Sequence, residues 1–183
     1  MIMNIKTYLN TTKEEVESKK YNIWIGISLG NRYFTKENIK KYIIWALENT
    51  KEDVLIVIGD RIHAINIEII SGYNKLRAFK KAAQLGDLKE KEINEIISEL
   101  PEIKDKVKIA RFREVTNTKY YEYRYEILLD EFEKNQEFKN KILEIIKESR
   151  MSILEKLSND KIGKLAEYVL RELPLYLNGA YFK

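Results

Sequence analysis

The sequence predicts a doubly wound, Rossmann-like α/β fold with a mostly parallel sheet. Three observations carry that prediction. Residues 22–27 and Val54–Ile58 are short, apolar, β-branched runs. Between them, Lys36–Asn49 places Ile39, Tyr42, Ile43, Ala46 and Leu47 at helical spacing. Both runs are nearly continuous rather than alternating, the pattern of strands covered on both faces. Strand, helix and strand in that order make a βαβ unit whose crossover is right-handed. Ligands in such folds bind outside the carboxyl ends of the strands.

The remaining elements follow from the same rules. Residues 28–35 form a loop containing Gly30, and Gly59-Asp60 ends the second strand. A long helix is expected over residues 62–85, weakened at Gly72, and a second over 88–100, stopped by Pro101. Residues 107–110 read as a third strand. Residues 120–132, 137–157 and 160–173 read mainly as helices. There is no internal repeat, no low-complexity linker and only two prolines, so residues 1–183 are expected to form one domain.

Composition excludes several chemistries. The chain has 183 residues, 44% hydrophobic and 34% charged, which describes a soluble globular protein with a real core. It has no cysteine, so disulfides and thiolate catalysis are excluded. His63 is the single histidine, which argues against a histidine metal cluster. The net charge of +4 is too mild to identify a nucleic-acid binder by itself. The start of the chain lacks the long apolar core of a signal peptide, and no stretch reaches the roughly 18 apolar residues of a spanning helix. A cytoplasmic location without membrane contact is expected. Nothing demands a dimer, and a monomer is expected.

The first candidate site is Gly26-Ile27-Ser28-Leu29-Gly30-Asn31 at the exit of the first strand. A serine there is ordinarily a turn residue. The functional reading needs its neighbours: Gly26 leaves room for a substrate beside the strand end, and Gly30 permits a tight loop with N–H groups open to an oxyanion. Asn31 adds an amide donor. The segment lacks the context of a nucleophile elbow and the spacing of a dinucleotide fingerprint.

The second is Tyr168-Val169-Leu170-Arg171-Glu172-Leu173-Pro174. Tyr168 and Glu172 stand one helical turn apart at the edge of an apolar stripe of Leu165, Ala166, Val169, Leu170 and Leu173. A carboxylate there binds an ammonium group and a phenol orients it. The plainer alternative is an ordinary boundary pair on an amphipathic helix.

Arg77, Lys80 and Lys81 project from one side of a helix and form a cluster suited to RNA phosphates. Cations at 89, 91, 104, 106, 108, 111 and 113 are diluted by acidic neighbours. Tyr120, Tyr121, Tyr123 and Tyr125 suit base stacking or, more simply, the packing of a helix edge. His63 is assigned no catalytic role.

Taken together, Gly26, Ser28 and Asn31 with Tyr33-Phe34, Gly59-Asp60, Arg111-Phe112-Arg113-Glu114 and Tyr168-x-x-x-Glu172-Leu173-Pro174 resemble the tRNA-dependent cyclodipeptide synthases over most of the chain. The resemblance implies a fold similar to the catalytic domain of class I aminoacyl-tRNA synthetases, without ATP chemistry, and, because the ester arrives activated, no metal and no cofactor. It implies a ping-pong mechanism that uses two aminoacyl-tRNAs per cycle and makes a diketopiperazine through an aminoacyl-Ser28 intermediate. Ser28, Tyr168 and Glu172 would be catalytic, Gly26 and Asn31 would bind substrate, and Arg77, Lys80 and Lys81 would bind tRNA. The family carries a further tyrosine on a late strand beyond the Leu-Pro. Here the chain is cut before that strand, or Tyr181 substitutes as a substrate-binding residue, or the last step is impaired. This reading requires Ser28 and the Tyr168–Glu172 pair to share one cavity. Two other classes remain as alternatives: a non-catalytic tRNA-binding module of the same fold, and a small-molecule hydrolase using Ser28 with His63.

Overall fold

The computed structural model describes residues 11–154 and 157–178. Its elements run α1 (Lys13–Glu17), β1 (Ile23–Ile27), α2 (Lys36–Asn49), β2 (Val54–Ile58), α3 (Asp60–Ser71), α4 (Lys75–Ser98), a 3-10 turn (Pro101–Lys106), β3 (Val107–Arg111), α5 (Phe112–Thr116), α6 (Lys119–Lys134), α7 (Gln136–Leu154) and α8 (Asn159–Asn178). The chain divides into two compact units, residues 1–60 with 84–111, and residues 61–83 with 112–183.

The first unit holds a three-stranded parallel sheet in the order β1-β2-β3. The register pairs Ile23 with Val54 and Ile27 with Ile58 across β1 and β2, and Val54 with Val107 and Ile58 with Arg111 across β2 and β3. Strand alternation then sorts the side chains. Ile23, Ile25 and Ile27, Val54, Ile56 and Ile58, and Val107 and Ile109 share one face. They pack with Ile39, Ile43 and Ala46 of α2 and Ile93, Ile96 and Ile97 of α4. Ile43, Val54, Ile56 and Ile58 have no solvent exposure, and each such side chain contributes about 1.5–3 kcal/mol by burial. This core fixes the strand ends.

Local chemistry sets the joints. Thr35 Oγ1 caps α2 by accepting from the Asn38 N–H at 3.3 Å, and Glu37 complements the helix start. At the other end buried Thr50 accepts from the Ile23 N–H (3.1 Å) and donates to the Asp53 carbonyl (2.8 Å). One hydroxyl therefore ties the start of β1 to the turn into β2.

The structure redraws one helix boundary. The break expected between residues 85 and 88 lies instead at residues 72–74. Gly72 takes φ +66°, and Asn74 Oδ1 accepts from the Arg77 N–H at 2.9 Å. α4 then runs unbroken through Gly86.

The second unit packs α6, α7 and α8 around Ile142, Ile146, Leu165, Ala166 and Leu170, with Ile69 of α3 in the same cluster. α8 extends past the expected end at Leu173, carrying Pro174 inside it. Among the described residues, no helix is long and apolar enough to cross a membrane.

Candidate active site

Ser28 directly follows the last residue of β1, at the carboxyl edge of the sheet. The Gly59 N–H donates to the carbonyl of Ile27 at 3.0 Å, so the edge stays tied one residue beyond the ladder. Alternation puts Trp24, Gly26 and Ser28 in one row, on the face opposite Ile23, Ile25 and Ile27. A Cβ at Gly26 would lie 3.1 Å from Cζ3 of Trp24. The glycine thus accommodates the indole beside an exposed stretch of backbone. Ser28 is half-buried, and its hydroxyl has no hydrogen-bond partner among the described residues.

The loop after Ser28 is built rather than slack. Gly30 takes φ +79°, a conformation that a side chain would strain. Asn31 Oδ1 accepts from the Tyr33 N–H (3.0 Å), and its carbonyl accepts from the Phe34 N–H (3.2 Å). The side-chain oxygen is engaged in the turn, which leaves the amide NH2 as the group that can meet a substrate. Residues 29–30 form a turn that aims the Asn31 N–H back at the Ser28 carbonyl, and the N–H groups of Leu29 and Gly30 have no acceptor among the described residues. Such open donors beside a hydroxyl suit a developing oxyanion. Tyr33, Phe34 and Tyr42 form an aromatic cluster with ring centroids 6.0–6.3 Å apart. Burial, with a hydrogen bond to Tyr33, pushes the Tyr42 phenol up to about 12.

Arg111, last residue of β3, continues the row of Ile27 and Ile58. Its Nε and Nη2 donate to Asp60 Oδ2 at 3.1 and 2.9 Å, and Nη1 donates to Asp87 and Glu90, each at 2.9 Å. Burial opposes its charge, but hydrogen bonds to Asp87 and Glu90 and the charge of Asp60 outweigh that and raise its pKa. Gly86 explains why α4 carries a glycine in mid-helix: a Cβ there would lie 2.1 Å from Arg111 Nη2.

In the second unit, Tyr168 Oη donates to Glu172 Oε1 at 3.2 Å, one turn along α8. Both are half-buried beside Leu165, Ala166 and Leu170, each at most 2% exposed. Pro174 has no N–H for the carbonyl of Leu170. One residue on, the carbonyl of Arg171 accepts from Tyr121 Oη at 2.9 Å. Tyr121 stacks on Tyr125 at 6.1 Å, and the Arg171 guanidinium lies over Tyr125 while pairing with Glu167. Burial raises the Tyr121 pKa and keeps the phenol a donor.

Arg77, Lys80 and Lys81 are exposed in α4, with the Arg77 guanidinium 4.1 Å from the ring centre of Tyr73. Between residues 61 and 83 the single carboxylate is Glu68, which pairs with Lys164. Other cations are already engaged. Lys89 binds the Phe34 carbonyl and Glu92, Lys108 binds Asp53, and Arg111 holds three carboxylates.

The profile of the cyclodipeptide synthases matches residues 5–181. The chain belongs to the cyclodipeptide synthase family. It is 24% identical over 179 residues to the cyclo(L-leucyl-L-leucyl) synthase of Staphylococcus haemolyticus, covering 93% of this chain and 74% of that one. Among solved structures it is similar to a cyclodipeptide synthetase of Mycobacterium tuberculosis, described as related to type I tRNA synthetases. The TM-score is 0.76 at 19% identity, over 90% of this chain and 70% of that one. It also shares its fold with a cyclodipeptide synthase of Candidatus Glomeribacter gigasporarum bound to Phe-tRNAPhe. That TM-score is 0.63 at 15% identity, over 85% of this chain and 71% of that one.

Membership makes the chain an enzyme that forms cyclic dipeptides, on the parallel-sheet α/β fold read from the sequence. Ser28 and Asn31 lie in the first unit. Tyr168, Glu172 and the Arg77–Lys81 cluster lie in the second. Tyr181 lies outside the described residues. Sequence reasoning missed the roles of Tyr121 and Gly86. A tyrosine at a buried helical position and a glycine inside an amphipathic helix were the only signals for them.

Proposed function

We propose that the enzyme joins two aminoacyl groups, each delivered as a tRNA ester, through a covalent intermediate on Ser28. The Ser28 oxygen attacks the ester carbonyl of the first aminoacyl-tRNA. The tRNA hydroxyl leaves with the serine's proton, and an aminoacyl-serine ester remains. The amine of that aminoacyl group attacks the ester of a second aminoacyl-tRNA, forming a peptide bond and releasing the second tRNA. The free amine of the dipeptidyl-enzyme then attacks the Ser28 ester, closing the diketopiperazine and restoring the hydroxyl. Each acyl bond arrives activated, so the work is positioning.

Tyr168 and Glu172 hold the aminoacyl ammonium in this scheme. The N–H groups after Ser28 stabilise the tetrahedral oxyanion, the Asn31 amide and the backbone at Gly26 orient the substrate, and Tyr181 also touches the substrate. Arg77, Lys80 and Lys81 bind tRNA phosphates without reading sequence. A cytoplasmic, monomeric enzyme completes the proposal.

The observation that carries the reading is the half-buried Ser28 hydroxyl at the sheet edge, which has no hydrogen-bond partner among the described residues and is followed by the open N–H donors of Leu29 and Gly30. Mass spectrometry after incubation with charged tRNA tests it. Wild type is expected to show an aminoacyl mass on Ser28 and to release a cyclic dipeptide. Ser28→Ala is expected to lose both while still binding tRNA. Full cyclic-dipeptide formation by Ser28→Ala would reject the assignment.

A further inference from the structure

The scheme above uses neither Gly59-Asp60 nor Arg111, although the structure brings them together at the edge that carries Ser28. We infer that Arg111 is a positioning residue for the Ser28 hydroxyl, acting through Asp60 and the hydrogen bond from the Gly59 N–H to the Ile27 carbonyl. This inference rests on the reading of Ser28 as the nucleophile.

The route is short and made of stiff parts. The Asp60 carboxylate, in a residue 9% exposed, receives two donors of one guanidinium on a single oxygen. Its other oxygen, Oδ1, is buried without a hydrogen-bond partner. A buried pair so incompletely satisfied adds little stability by itself, since apolar replacements of such pairs are often neutral or better. What the pair does provide is direction. Asp60 follows Gly59, whose N–H holds the Ile27 carbonyl at 3.0 Å. That carbonyl belongs to the planar peptide group whose nitrogen is Ser28 N. A shift of Asp60 therefore turns the Gly59 peptide, and the Ile27–Ser28 peptide turns with it as a rigid plate. The Gly86 gap seats the guanidinium, so the anchor itself cannot drift toward α4 without a clash.

Only one branch of the cluster leads to the nucleophile. Asp87 and Glu90, with side chains 73% and 41% exposed, bind Nη1, whereas Asp60 is held by Nε and Nη2. They neutralise the far end of the guanidinium, where water screens them.

The experiment measures the single-turnover rate of aminoacyl transfer to Ser28, with enzyme in excess over charged tRNA, alongside tRNA affinity and the unfolding midpoint. The variants are Arg111→Met, Asp60→Asn, their double mutant and Glu90→Gln. Displacing a nucleophile by about 1 Å costs on the order of 100-fold, so Arg111→Met and Asp60→Asn are each expected to lose about that factor in acylation rate with tRNA affinity unchanged. The double mutant should lose little more, because both break one link. Glu90→Gln should stay near the wild-type rate. Where Arg111→Met does not fold, Arg111→Lys keeps a cation beside Asp60 but not the two-donor grip, and the same loss is expected of it. A folded Arg111 variant that acylates Ser28 at the wild-type rate overturns the inference and leaves the nucleophile standing. Equal losses in Glu90→Gln and Asp60→Asn overturn it as well, since the cluster would then act only as general support. Wild-type enzyme with no adduct on Ser28 overturns the nucleophile reading and this inference together.

Discussion

Gly86→Ala should destabilise this enzyme, although alanine is the better helix former. In an open helix interior the substitution stabilises by about 0.5–1 kcal/mol. At position 86 the new methyl would sit 2.1 Å from Arg111 Nη2, 2.7 Å from its Cζ and 2.9 Å from Asp60 Cβ. The guanidinium can withdraw only by giving up its bonds to Asp60, and the Asp60 Cβ cannot withdraw without moving the start of α3. The Arg111 and Asp60 side chains are 18% and 12% exposed, and breaking a pair this buried costs about 3–5 kcal/mol. After the helical gain, the net loss is about 2–4 kcal/mol. For a chain of this length that lowers the unfolding midpoint by roughly 5–15 °C. Gly163→Ala in α8 is the matched control: a Cβ there meets nothing within 4 Å, and a gain of about 0.5–1 kcal/mol is expected. Circular dichroism melts of both variants against wild type measure the difference. A Gly86→Ala protein as stable as wild type, with Gly163→Ala behaving as expected, would refute the steric argument.

Three other outcomes are expected. Replacing Arg77, Lys80 and Lys81 together by alanine should weaken tRNA binding. It should also make the slope of log affinity against log salt shallower by about 0.7–0.9 for each phosphate no longer neutralised; filter binding across a salt series reads it. Thr50→Val leaves the Ile23 N–H and the Asp53 carbonyl without their shared partner, and should cost about 1–3 kcal/mol in urea unfolding. Stability should fall in alkali. The Tyr42 phenol is raised by burial from 10 to about 12 in the folded protein. Its contribution is therefore complete below pH about 10 and lost as pH rises toward about 12. Tyr42→Phe should remove part of that alkaline slope in unfolding measured across this range.

The strands were legible because nothing interrupts their apolar runs, and a five-residue stretch such as Val54–Ile58 has few other uses in a globular core. The helix boundary in the middle of the chain was not. Gly72 and Gly86 look alike as letters, yet one supplies φ +66° and the other supplies space for a guanidinium. Spacing placed Tyr168 and Glu172 on one turn, and their hydrogen bond follows from that. Spacing could not show that Asn31 commits its oxygen to Tyr33, because a loop has no period. Nor could it show that Arg111 gathers Asp60, Asp87 and Glu90, which are 51, 24 and 21 positions away. The last helix was read as far as Leu173, and the structure carries α8 on through Pro174, with the Tyr121 hydroxyl at the carbonyl of Arg171.

The indole against Gly26 has a practical use. The chain has two tryptophans, Trp24 in the row of Ser28 and Trp45 packed against the core of the first unit. With Trp45 changed to phenylalanine, the protein would carry a single tryptophan, excited apart from the tyrosines at the red edge of absorption, in the row of the proposed nucleophile. Emission from it would report occupancy of that edge in real time, with no dye attached.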